Sequence, residues 1–134
     1  MIKFLKNYWK SITVIACILY LSFVPSSTFN GIPTFENEDK LVHFLMYAGL
    51  CGMLIFDFRL ANKKNKTKSL YGFMVCIAFP FLLGTLIEIV QPLYFERSGS
   101  WLDLSANVTG IISAWLFMNV FESFINKIFV RKKA

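Results

Sequence analysis

A chain of 134 residues in which 56% are hydrophobic, 17% aromatic and only 16% charged lacks the polar half that a small soluble domain needs to cover its core. The length allows one small domain, residues 1–134. The formal charge of +6 comes without the interleaving of basic and aromatic residues that marks a nucleic-acid surface, so no nucleic-acid partner is expected.

The first apolar block, Ser11 to Val24, follows Lys3, Lys6 and Lys10, and Tyr8 and Trp9 lengthen it with rings suited to the headgroup zone. The pattern has the outline of a secretory signal peptide, but no clear small-x-small cleavage site follows Val24, and a retained helix is expected. "VPSSTFNGIPTFENE", Val24 to Glu38, carries the prolines, glycine and Ser/Asn/Thr residues of an outer loop. The second block, Leu41 to Phe56, is completed by Asp57 and Phe58, and "LANKKNKTK" is a short basic connection. The third, Ser69 to Pro92, exceeds the roughly 20 residues that span a bilayer core, and Pro80 inside it predicts a kink. A second outer loop, "LYFERSGSW", ends on Trp101 as an interface anchor. The fourth block, Leu104 to Phe121, carries Ala106, Gly110 and Ala114 at intervals of four, a stripe that lets a neighbouring helix approach. The expected fold is an all-α polytopic bundle of four transmembrane helices.

Charge sets the expected orientation. Of the 14 Lys and Arg residues, all but Lys40 and Arg97 precede helix one, join helices two and three, or follow helix four, which predicts cytoplasmic termini. Asp57 and Glu122 fall at the cytoplasmic ends, whereas Glu36, Glu38, Asp39, Glu88, Glu96 and Asp103 lie toward the outside. Cys17, Cys51 and Cys76 sit in apolar runs without CxxC spacing and are read as packing residues. The Asn107 sequon "NVT" is a chance match inside an apolar run.

The unusual polar residues gather in one outer layer. In "DKLVHFLMY", Asp39, His43 and Tyr47 recur every fourth residue and line one helical face. Asp39 is either a helix cap or the group that orients His43 for proton exchange; His43 is either that exchanger or a packed histidine. Tyr47 is a packing ring or a donor. In "GTLIEIVQPLY", Glu88 and Gln91 share a face, and a carboxyl inside a span costs up to about 3 kcal/mol unless paired, hydrated or protonated. Lys40, His43 and Arg97 are the available partners of Glu88, unless it snorkels to the surface. In "RSGSWLDLSANVTG", Asp103 is a cap or a pocket acid, and Asn107 lies a turn further in, where an amide ties helices together.

"DKLVHFLMY", then "EIVQ", an arginine shortly after, and "DLSANVTG" together resemble the VanZ-like family of small bacterial membrane proteins, over about residues 39–114. By that resemblance the characteristic polar residues are Asp39, Lys40, His43, Tyr47, Glu88, Gln91, Arg97, Asp103 and Asn107. The family often has a second glycine in helix four where this chain has Ser113. The resemblance implies the bacterial cytoplasmic (inner) membrane and a connection to teicoplanin resistance, without an assigned activity.

Three function classes follow. The first is a binding protein of the cell envelope, whose outer pocket takes a membrane lipid headgroup, a lipid-linked cell-wall precursor or a membrane protein partner. The second is an enzyme on a lipid-linked substrate: His43 is acid or base, Asp39 orients it, Lys40 and Arg97 grip an anion, and Glu88 or Asp103 activates water. A divalent metal on His43, Glu88 and Asp103 is a variant of it, but without a ligand-spacing motif no metal and no cofactor is expected. The third, a proton-coupled transporter, needs polar residues along the full depth of the bundle.

Overall fold

A computed structural model describes residues 2–24, 28, 37–61, 70–94 and 100–131, with side chains described at 4–24, 28, 37–61, 70–94 and 100–122. The described residues form four helices and no strand: α1 (Ile2–Phe23), α2 (Glu38–Ala61), α3 (Leu70–Tyr94) and α4 (Trp101–Arg131). Most of both expected outer loops and of the basic connection, with Glu36, Glu96 and Arg97 among them, lies outside the described residues.

Three helices, α2, α3 and α4 as far as Glu122, are long and apolar enough to cross a membrane. The sequence led us to expect four. Helix α1 has the length, at 22 residues, but Lys3, Lys6, Asn7, Lys10 and Ser11 dilute its first half. Leu45, Leu82, Leu86, Ile89, Leu116 and Phe117 each leave half or more of their surface uncovered by protein. Such faces suit acyl chains, not water.

Helix α2 is the centre of the bundle and contacts all three others. It buries Tyr47, Leu50, Cys51, Leu54, Ile55 and Phe58, and against them pack Ile18 of α1, Cys76 and Ile87 of α3 and Ile111 of α4. The small-residue stripe works as expected: a Cβ added at Gly110 would fall on the backbone carbonyl of Phe44, so the absent side chain lets α2 and α4 touch.

Pro80 disturbs α3 in a specific way. The stretch Met74–Ala78 just before it is π-helical, and the N–H of Phe79 donates to the carbonyl of Met74, five residues back. Proline has no N–H for the carbonyl of Cys76, so the wider turn takes up the mismatch.

Helix α1 breaks at Tyr8, where φ is −115° and ψ is 16°. The break makes an internal helix N-terminus, and the backbone N–H of Ser11 in its first turn donates to Asp57 Oδ2 at 3.1 Å. The Ser11 hydroxyl donates to the same oxygen at 2.8 Å, and Lys10 Nζ pairs with Oδ1 at 3.2 Å. Asp57 is 0% exposed and both its oxygens are occupied. The Lys10 ammonium also lies 5.2 Å from the ring centroids of Trp9 and Phe56. Arg59 nearby donates to the carbonyl of Met118 and to Asn119 Oδ1 and pairs with Glu122 at 3.0 Å, closing α2 on α4. This end of the bundle is a set of saturated polar ties.

Candidate functional site

His43 lies fourteen residues before Asp57 on α2, about 21 Å away at 1.5 Å per residue. A second polar cluster forms at that end, where the N-terminal turns of α2 and α4 meet the C-terminal half of α3. Asp39, His43 and Tyr47 come from α2, Glu88 and Gln91 from α3, Asp103 and Asn107 from α4. All are buried except Asp39, whose side chain is half exposed. The helical spacing read from the sequence brings Asp39, His43, Tyr47, Glu88, Asp103 and Asn107 to one place, with Gln91 beside them. Lys40 is half-buried at the same helix end, without an ion pair among the described residues.

The imidazole of His43 is the hub. Its Nδ1 lies 3.1 Å from Asn107 Oδ1 and 3.6 Å from Glu88 Oε1, and its Nε2 lies 3.8 Å from Asp39 Oδ1. Both neighbours of Nδ1 are acceptors, so in the neutral ring Nδ1 carries the proton, and Nε2 turns its lone pair toward Asp39. Glu88 is 9% exposed and does not snorkel; its Oε2 accepts the backbone N–H of Ser100 at 3.3 Å, at the start of α4. Asp39, His43 and Asp103 each offer one donor atom within 4.8 Å of the others.

The cluster is incompletely satisfied. Glu88 Oε1, Asp103 Oδ1, Asn107 Nδ2 and the Tyr47 hydroxyl are buried and make no hydrogen bond. A buried polar group without a partner costs about 1–3 kcal/mol, so four at one spot are a substantial local cost. Burial is enforced by packing. A Cβ on Gly84 would come within 3.0 Å of the Tyr47 ring and 3.2 Å of Asn107 Nδ2, so only glycine lets α3 close over them.

The neighbours of Gln91 and Asp103 define what each does. Gln91 donates from Nε2 to the carbonyl of Ser22 at 3.0 Å, tying α3 to the last turn of α1, and so acts as a clamp beside the cluster. The cap of α4 is supplied by Ser100, whose Oγ accepts the N–H of Leu102 at 3.2 Å, and Asp103 keeps an oxygen without a donor. Ser22, inside the first apolar block, and Ser100, in the second outer loop, carried no signal of these roles in the sequence. Arg97, the other expected partner of Glu88, is outside the described residues.

A groove of about 720 Å³ opens elsewhere, lined by Gly49, Gly52, Met53, Phe56, Ala114 and Phe117 among others. Apart from Ser113 and Lys10, the latter paired with Asp57, its lining offers no polar side chain among the described residues. Comparison with family models, with curated proteins and with solved structures found no match.

Proposed function

We propose that the protein is a multi-pass protein of the bacterial cytoplasmic membrane whose His43 cluster, facing outward, binds the polar headgroup of a membrane lipid or of a lipid-linked cell-wall precursor. The observation that carries this reading is the set of four buried polar atoms that make no hydrogen bond, Tyr47 Oη, Glu88 Oε1, Asp103 Oδ1 and Asn107 Nδ2. They mix donors and acceptors, as hydroxyl-rich or aminated headgroups do. The half-exposed Asp39 gives access from the headgroup zone. In this reading α1 also crosses the membrane, both termini are cytoplasmic, and the basic connection and tails face anionic lipid. The ordered motifs that resemble the VanZ-like family are a second support.

The test is native mass spectrometry of lipids retained by the full chain extracted in mild detergent. Wild type is expected to keep a headgroup-selective lipid, and Glu88→Gln and Asn107→Leu are expected to lose it while circular dichroism stays unchanged. Equal lipid profiles in all three would refute the reading.

A second reading has its own observation, the imidazole set between Asp39 and Glu88. That arrangement suits a general acid or base acting on a lipid-linked substrate. Turnover of a lipid-linked substrate that disappears in His43→Gln, with lipid retention intact, would select it. Transport is disfavoured, because Leu50, Cys51, Leu54 and Ile55 form an apolar plug between the two polar clusters. A role in glycopeptide resistance rests on the motif resemblance alone. A strain lacking the chain is then expected to become more susceptible to teicoplanin.

A further inference from the structure

Three observations around Asp103 point to a bound cation. First, one donor atom each from Asp39, His43 and Asp103 lie within 4.8 Å of one another. Second, Asp103 is only 5% exposed, and its Oδ1 has no donor. Third, the ring of His43 is already turned for coordination. Its Nδ1 faces Asn107 Oδ1 and Glu88 Oε1, which leaves the Nε2 lone pair on the side of Asp39. A histidine that binds metal through one nitrogen and gives the other N–H to a carboxylate or carbonyl is the usual arrangement around bound cations.

We propose that Asp39, His43 and Asp103 bind one divalent transition-metal cation of the zinc or manganese class. Glu88 and Asn107 are positioning residues that hold the imidazole from behind. Two carboxylates and an imidazole are a donor set for such ions, whereas magnesium and calcium prefer oxygen alone. With bonds of about 2.1 Å, donors on one ion are at most about 4.2 Å apart, so the widest pair must draw in by roughly half an ångström. The half-exposed Asp39, on the first turn of α2, can make that adjustment. Three protein ligands leave coordination positions for an outside oxygen.

This inference rests on the binding reading and sharpens it. Three carboxylates would repel a phosphate headgroup, and a bound cation reverses that, giving the phosphate oxygen a place to ligate.

The full chain in lipid nanodiscs is stripped with EDTA, freed of chelator, and incubated with ZnCl2 or MnCl2. After desalting, metal per chain is measured by mass spectrometry. Wild type is expected to retain about one equivalent, and Asp103→Asn and His43→Gln to retain little. Glu88→Gln is expected to retain metal with an affinity lower by about 10–100-fold, the loss typical of an outer partner. Circular dichroism confirms that each variant is folded. Wild type retaining none, or Asp103→Asn retaining as much as wild type, overturns the proposal, the latter because the ion is then adventitious. Lipid retention by the stripped protein keeps the two readings apart. Headgroup selectivity without metal binding removes the cation alone, and metal binding without any headgroup selectivity removes the lipid ligand alone.

Discussion

Asp57 and Asp103 are both carboxylates buried at helix ends inside an apolar bundle, at 0% and 5% exposure. Asp57 accepts from an ammonium, a hydroxyl and a backbone N–H, whereas Asp103 keeps an oxygen that meets no donor. The cluster around Asp57 is closed, as it would be if its only task were to hold α1 on α2. The cluster around His43 holds four polar atoms without a hydrogen bond among residues that packing nonetheless keeps buried. A cost of that kind persists where an outside ligand offsets it. The same residue type thus serves stability at one end of the bundle and, in our proposal, binding at the other.

The contrast can be broken by substitution. Asp57→Ala leaves Lys10, the Ser11 hydroxyl and the Ser11 N–H without their acceptor, and a loss of about 3 kcal/mol in unfolding free energy is expected, the cost of breaking one side of a buried pair. Denaturant titration in mixed micelles measures it. Gly110→Ala drives a methyl onto the Phe44 carbonyl and is expected to cost about 2 kcal/mol, as overpacking does. Gln91→Ala removes one interhelical bond to the Ser22 carbonyl, and the same titration should show about 1 kcal/mol. Glu88→Gln is the decisive contrast with Asp57. It preserves shape and relieves an oxygen without a donor, so a change below about 1 kcal/mol is expected, alongside loss of the retained lipid. A large destabilisation by Glu88→Gln would make the two clusters alike and remove the distinction.

Much of the His43 cluster was legible in the sequence because polar residues inside apolar runs have few places to go. The four-residue spacings of Asp39, His43 and Tyr47, and of Asp103 and Asn107, each define a face, and burial brings those faces together. The stripe at Gly110 was legible for the same reason. Asp57 was not, since at the end of an apolar block it reads as a flanking residue. Its partners lie 46 and 47 positions away, and one is a backbone N–H freed by a break at Tyr8. The binding of Gln91 to a main-chain carbonyl was hidden in the same way, because carbonyls leave no mark in a sequence. Pro80 announced a disturbance, and which form it took, a π-helical turn, was decided by packing. Helix α1 falls short of the other three in apolar character, in part because Lys10 and Ser11 serve the Asp57 cluster and lower its hydropathy.

The most direct measurement compares unfolding midpoints of Asp57→Asn and Asp103→Asn in protein stripped of metal and native lipid, then after both are restored. We expect stripped Asp103→Asn to be at least as stable as stripped wild type, restoration to raise the midpoint of wild type and of Asp57→Asn only, and Asp57→Asn to be weakened throughout. Destabilisation of stripped Asp103→Asn to the level of Asp57→Asn, with no gain for wild type on restoration, would mean that both clusters are structural ties.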